Sequence, residues 1–569
     1  MITPSRRAGA GAGRSVGPRG TAPAWALTAL LGAIYLAFAP PSPDLAAASY
    51  RSHLFSIEGL SLWDNSWYGG HHLLAYSLLA PALGALVGPQ LLAVVSMVLA
   101  TGLFAALIAP YFAARASRLA GLWFALGASI ALLSCRVPFN LGLAIGLASL
   151  LAAQRRRGML ALVLAIACSL ASPVAGAFLA LALLAWAIAG PARAWPLALT
   201  AATLLPIGLL VLVFPEGGTQ PFVASAFYPA LAAVLLIGAV IGREQRTLRI
   251  GVALYALALS GAYLIPSAVG GNADRLGALA AGPVAALALA GAPPRGRRVR
   301  MLRDGGARRR SRLLGGSGRA RLLIVLAPLL LYWQANAPVA DFSAAVSDPS
   351  VNASYYAPLL GELHRLGIGY GSRAARIEIV PSAVHWETRW VAPAVMLARG
   401  WERQLDRYRD SLFYDGSPSL DPGRYRSWLL AQGVSYVALP DSTPDYSGLA
   451  EARLLRGGRA GSGPPAYLRE VWRAPHWRLF AVLGATPLVQ APARLESVGR
   501  DSFTLLAPAP GAFTVLLHYT PYWSLASGHG CIARASGDWT QVRAAAAARL
   551  RVVIGFSLAR ALEHGSRCR

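Results

Sequence analysis

The side chains that could do chemistry are few, and they gather in short polar stretches between long apolar runs. The densest stretch is PSPDLAAASYRSHLFSIEGLSLWDNSWYGGHH, residues 41–72. Asp44 stands a few residues after an apolar run, beside a loop with further acids. A carboxylate there suits a general base or a metal ligand at a membrane surface. Asp44, Arg51 and Glu58 recur at seven-residue spacing, which on a helix brings all three to one face, and His53 lies between the last two. Trp63, Trp67 and Tyr68 flank Asp64 and Asn65. Gly69 and Gly70 then permit a tight turn and close approach of a ligand to the backbone. His71 and His72 are adjacent, so their side chains diverge, which argues against a metal pair.

Three other stretches carry similar groups. SCRVPFNLG (134–142) presents Arg136 and Asn140. FPEGGTQPF (214–222) presents Glu216 beside two glycines, either as a Pro and Gly turn with an exposed acid or as a second carboxylate near Asp44 that assists proton transfer or holds a cation. GGNADRLG (270–277) presents Asn272, Asp274 and Arg275. Polar groups at membrane depth are costly and are therefore candidates for function.

The elements that must position these residues follow from composition. Of 569 residues, 55% are hydrophobic and 14% charged, and mean hydropathy is +0.48, which excludes a single water-soluble globule. Apolar runs near the roughly 20 residues that cross a bilayer fall at 24–40, 90–113, 119–134, 139–153, 158–172, 174–190, 196–214, 223–242, 250–269, 276–290 and 321–333, which predicts eleven spans. Segment 73–88 is read as a short interfacial or re-entrant helix, because only then do the basic clusters share one side. All 52 basic residues are Arg. Residues 1–333 hold 27 of them against seven acids, and under this topology 24 face inward while Arg51, Arg136 and Arg275 face outward. That is the positive-inside pattern, so the net charge of +27 is a topological device and does not point to nucleic acid.

The expected layout is a cytoplasmic basic N-terminus (1–23), a membrane domain (24–333) and an extracytoplasmic domain (334–569) of mixed α/β then β-rich character. The Gly- and Arg-rich 291–321 reads as a disordered cytoplasmic loop touching anionic lipid. In the outer domain, residues 398–413 are predicted to form an amphipathic helix, and residues 422–432 a helix stopped by Gly433 and followed by the strand 434–439. Trp386, Trp390, Tyr522 and Trp523 are either core or sugar-stacking aromatics. Cys531 and Cys568 could pair in an oxidising compartment.

The early outward Asp, the histidine-containing helix ending in Glu-Gly-Leu and the turn WDNSWYGGHH leading into an apolar segment resemble the first loop of GT-C superfamily membrane glycosyltransferases. The likeness, from Asp44 to Gly88, is nearest to the bacterial integral membrane family labelled "6-pyruvoyl-tetrahydropterin synthase related". It implies a multi-pass protein of the bacterial cytoplasmic membrane, with N-terminus inside and outer domain outside. It further implies inverting hexosyl or pentosyl transfer from a polyprenyl-phosphate donor to a cell-envelope glycan or lipid acceptor. Asp44 would be the base and Arg136 or Arg275 would bind the donor phosphate. The substrate contacts would come from Arg51, His53, Glu58, Asp64, Trp67, Tyr68, His71, His72 and Asn272. Asp44 is followed by Leu45 where better-known members carry a second acid, which leaves a divalent cation as the one cofactor in question. Two other readings use the same scaffold: a lipid or glycan transporter or flippase, and a non-catalytic envelope-assembly or glycan-binding protein. Transporters usually show related halves, and no internal repeat is visible.

Overall fold

The computed structural model describes residues 22–290, 316–457, 463–562 and 568. The expectations for the basic N-terminus and for most of the Arg-rich segment fall outside these residues. Thirteen helices form the membrane region: α1 (Ala22–Phe38), α2 (Pro43–Glu58), α3 (Leu79–Val87), α4 (Pro89–Ile108), α5 (Ala114–Ala131), α6 (Val137–Gln154), α7 (Gly158–Ala171), α8 (Pro173–Ala189), α9 (Ala194–Val213), α10 (Ala224–Val240), α11 (Arg246–Leu264), α12 (Asp274–Ala290) and α13 (Gly316–Ala345). Proline stands in the first turn of α2, α4, α6 and α8, where its missing N–H is harmless and its fixed φ suits the helix.

The chain is a multi-pass membrane protein, with six helices among the described residues long and apolar enough to cross a bilayer. They are α4, α6, α9, α11, α12 with its leading 3-10 turn, and α13; the pair α1 and α2, bent by 78°, makes a seventh if it counts as one span. Eleven spans were expected. Helices do occupy the remaining five predicted runs, but α7, α8 and α10 have only 14, 17 and 17 residues, a rise of about 21–26 Å against a core of about 30 Å. α5 carries Arg115 and Arg118 in its opening turns. α13 runs twelve residues beyond 333, to Ala345, and so carries Gln334 and Asp341 on the same helix as the last predicted span. Small residues let the helices approach closely: a Cβ at Gly277 of α12 would overlap Trp333 of α13, and one at Gly142 of α6 would overlap Ser172 and Ala175 beside α8.

Between α2 and α3 the first loop folds into a miniature hairpin. Its strands, β1 (Trp63–Asp64) and β2 (His71–His72), pair antiparallel with Trp63 opposite His72. Beyond α13 comes a mixed five-stranded sheet in the order β4-β3-β5-β7-β6, where β3 (Arg376–Ile379) pairs in parallel with β4 (Met396–Leu397) and β5 (Val434–Pro440), and β6 (Leu468–Ala474) and β7 (Trp477–Val482) are antiparallel. Helices α14 (Ala353–Arg365), α15 (Glu387–Trp390), α16 (Arg403–Arg409), α17 (Pro422–Ala431) and α18 (Leu449–Leu455) accompany it. Two antiparallel sheets follow, one joining β8 (Arg494–Val498), β9 (Ser502–Ala507), β11 (Trp523–Ser527) and β14 (Ala548–Ile554), the other β10 (Gly511–His518), β12 (Gly530–Arg534) and β13 (Trp539–Ala544). They share a core of Phe503, Leu505, Val515, Trp523, Val542 and Leu550. Cys531 and Cys568 form a disulfide.

The helix expected over 398–413 is shorter than its pattern suggests. Gly400 lies against the Trp67 ring and Glu402 is extended, so α16 begins only at Arg403. Trp386, Tyr522 and Trp523 are buried and belong to the packing, and the half-buried Trp390 donates its indole N–H to the Val351 carbonyl.

Both outer lobes close on the first loop. Leu397 N–H donates to the Ser66 carbonyl, His518 N–H to the Gly69 carbonyl and Asn65 N–H to the Arg500 carbonyl, at 2.7–2.8 Å. Asp64, fully buried, accepts from the Tyr50 hydroxyl at 2.6 Å and from Ser66 N–H at 3.0 Å. Replacing Tyr50 with Phe leaves this carboxylate short of a donor, at a cost of about 2 kcal/mol. Thermal unfolding of the purified protein in detergent should accordingly begin several degrees lower.

Candidate active site

A cavity of about 1170 Å³ lies between the membrane helices and the first outer lobe. Its most distinctive polar group starts at α2. Ser42 is extended, Pro43 opens the helix and Asp44 sits in the first turn, where the helix dipole favours a negative charge. Asp44 Oδ2 accepts from Arg136 Nε at 2.9 Å. Arg136 immediately precedes α6, after Cys135 at a positive φ of 50°. Its Nη2 reaches Asp341 Oδ2 of α13 at 3.2 Å, and Ser134 Oγ donates to the same oxygen at 2.5 Å. One guanidinium therefore bridges two carboxylates, whose side chains keep 33% and 27% of their surface open.

Arg275, in the first turn of α12, lines the same cavity with its guanidinium 5.6 Å from the Phe139 ring, and makes no ion pair among the described residues. Its neighbour Asp274 accepts from Trp333 Nε1 at 3.0 Å. Asn272 and Asn140 also line the space, and the buried Asn140 amide nitrogen has no hydrogen-bond partner among the described residues. Leu204, Ile207, Leu210 and Val211 of α9 form an apolar wall.

Of the other residues predicted for the site, two reach the cavity already engaged. Glu216 is held by His72 Nδ1 at 2.7 Å, by the His72 N–H and by Arg409 at 3.4 Å. Burial alone would raise its pKa, but His72 and Arg409 hold it below the usual carboxylate range, which suits a loop brace better than a proton acceptor. Arg51 bonds to Glu402 at 2.7 Å and lies 4.9 Å over the Tyr76 ring.

The rest lie elsewhere. Glu58 shares a helix with Asp44 but is 14 residues away, about 21 Å along the axis, and pairs with Arg500 at 2.8 Å. His53, half-buried, does not line the cavity. Asp64, Trp67, Tyr68 and His71 are buried in the loop itself. Trp67 stacks between Tyr50 and His71 at 4.6 and 5.4 Å, and the Tyr68 hydroxyl accepts from Glu402 N–H at 3.0 Å. Burial holds His71 below its usual pKa, so it is neutral.

No sequence pattern marked the cavity's roof. His385, Trp401, Glu402, Arg403 and Asp445 all come from the outer domain. The only hint was the set of charged residues crowded around tryptophan in HWETRW and GWERQLD. Among the described residues, no group of three or more His, Cys, Asp or Glu could hold a metal ion. The cavity carboxylates joined through one partner, Asp44 and Asp341, already share Arg136, so a divalent cation does not fit this donor set.

Arg403 forks onto Asp445 at 2.7 and 2.9 Å, while the His385 imidazole lies 3.5 Å from Asp445 and 3.4 Å from Glu387. Burial alone would lower the pKa of His385, but the two carboxylates outweigh it and raise the value. Its charge therefore contributes stability that is fully present below about pH 6.5, the unfolded value, and is lost as pH rises through the raised folded value. The thermal midpoint should fall as pH rises above about 6.5, and His385→Gln should flatten that fall.

No protein-family model matches the chain, and no curated protein matches it in sequence. Among solved structures it is similar to the arabinofuranosyltransferase AftD from Mycobacteria, with 17% identity over 82% of this chain and 40% of AftD, at a TM-score of 0.42. It is also similar to the archaeal oligosaccharyltransferase AglB from Archaeoglobus fulgidus, solved with an inhibitory peptide and a dolichol-phosphate. There the identity is 14% over 74% of this chain and 69% of AglB, at a TM-score of 0.34. The chain spans about two fifths of the length of AftD.

Proposed function

We propose that the protein is a GT-C-type membrane glycosyltransferase that transfers a sugar from a polyprenyl-phosphate donor to an acceptor hydroxyl of the cell envelope, on the outer face of the membrane. The observation that carries this reading is one cavity that combines a partly open carboxylate, Asp44, a guanidinium that makes no ion pair among the described residues, Arg275, and an apolar wall on α9. These match a proton to be removed, a phosphate charge to be met and a lipid to be housed.

In this mechanism Asp44, oriented by Arg136, takes the acceptor proton as the acceptor oxygen attacks the anomeric carbon. The bond from that carbon to the phosphate oxygen breaks, and the electron pair leaves with the lipid phosphate, whose charge Arg275 meets. Attack opposite the leaving group inverts the anomeric centre. Asn140 and Asn272 supply hydrogen bonds to the sugar or phosphate. Asp341 anchors Arg136 from α13 and so keeps the Asp44 carboxylate aimed.

The disulfide between Cys531 and Cys568 supports an outer domain in an oxidising compartment. In intact cells, a membrane-impermeant maleimide should label these two cysteines only after reduction. Labelling that requires permeabilised cells would reverse the orientation.

Membranes containing the protein, given labelled polyprenyl-phosphate hexoses and pentoses, should lose about 10²- to 10⁴-fold of their transfer rate on Asp44→Asn. Arg275→Ala should chiefly raise the donor KM. Unchanged transfer by Asp44→Asn would overturn the assignment, and donor movement across proteoliposomes without product would replace it with a flippase.

A further inference from the structure

We infer that Trp401 and Glu402 of the outer domain are positioning residues for Asp44, resting on the reading of Asp44 as the base. The start of α2 is not held by its own cap. Ser42 makes no side-chain bond to the helix and instead donates to the Ser134 carbonyl at 2.9 Å, while Pro43 has no N–H to offer. What fixes this turn from above is the Trp401 indole, whose Nε1–H donates to the Pro43 carbonyl at 2.8 Å, one residue before Asp44.

The indole is itself immobilised. The His385 imidazole lies parallel to it, with ring centroids 3.7 Å apart and 9° between planes, and the Arg403 guanidinium is 4.7 Å from its centroid. His385 and Arg403 both converge on Asp445, whose remaining capacity is taken by Ser447 N–H and Oγ at 2.9 and 2.6 Å. The next residue, Glu402, takes Arg51 at 2.7 Å, two turns further along α2. The dipeptide therefore grips α2 at both ends of the stretch that lines the cavity. On the loop side, Gly400 sits so close to the Trp67 ring that a Cβ there would lie 2.5 Å from it, which leaves the grip little freedom to slide.

Trp401 is bonded to the Pro43 carbonyl, Glu402 to Arg51 and Arg403 to Asp445, so these groups are engaged in holding α2 to the outer domain. Misplacing a catalytic group by about 1 Å costs on the order of 10²-fold, so a small loosening of α2 is measurable as rate.

The test compares wild type, Trp401→Phe, Glu402→Gln and Asp44→Asn as full-length protein in nanodiscs. It measures transfer from whichever labelled polyprenyl-phosphate hexose or pentose the wild type uses, and amide hydrogen exchange over residues 43–54. Trp401→Phe keeps a ring against His385 but removes the N–H, and should lower kcat about 10-fold while leaving both KM values within about two-fold. Exchange over 43–54 should accelerate while the remaining helices stay at their wild-type rates. Glu402→Gln keeps a weaker acceptor for Arg51 and should show a smaller loss of the same kind. Wild-type kcat in both variants, with Asp44→Asn inactive, would overturn this inference and leave the proposed base standing. A rise in KM matching the loss, or faster exchange throughout the protein, would also overturn it. Wild-type transfer by Asp44→Asn would remove the reading beneath it.

Discussion

The burial of the first loop is the constraint on which the rest of the structure depends. Ten residues, Trp63–His72, lie almost wholly out of solvent, including Asp64, Asn65, His71 and His72. An unsatisfied polar group in such a place costs several kcal/mol, so most of the loop's polar groups are met by protein partners. Tyr50 from α2, Gly499 and Arg500 from the second outer lobe, Leu397 from the first and Thr520 supply them for Asp64, Asn65, Ser66 and His72, while the His71 ring nitrogens and the Trp67 indole nitrogen have no hydrogen-bond partner among the described residues. Membrane region and outer lobes are thereby parts of one polar network, and the cavity is the space left beside it.

The cavity's electrostatics follow the same economy. Most of its charges are neutralised by a named partner: Asp44 and Asp341 by Arg136, Arg51 by Glu402, Glu216 by Arg409, and Arg403 by Asp445. Arg275 makes no ion pair among the described residues, and α9 lends the cavity an apolar wall. The pairs that are closed hold elements together: α2 to α6 and α13, and loop 214–222 to the first loop.

Much was legible before any fold was known. The apolar runs became helices at the expected places because a backbone in an apolar medium must bond to itself, and prolines marked their beginnings. Residues of all four polar stretches line the cavity, among them Asp44, Arg136, Glu216 and Arg275. The patterning of 422–440, helix then Gly433 then strand, was also legible, because it depends on local propensity and a positive φ of 63° at the glycine.

By itself the sequence determined where helices run, which loops carry polar groups and that the protein spans a membrane. Only tertiary structure decided which carboxylate stays open to a cavity and which is consumed as a brace. Asp44 and Asp64 read alike as acids in one loop, yet one faces the cavity through Arg136, 92 residues away, while the other is sealed under Tyr50. Glu402 reaches Arg51 across 351 residues and Asp341 reaches Arg136 across 205. Periodicity reports which side chains share a face of one element. It carries no information about which distant element will meet that face, and in this protein whether a carboxylate faces the cavity or is sealed as a brace depends on that meeting.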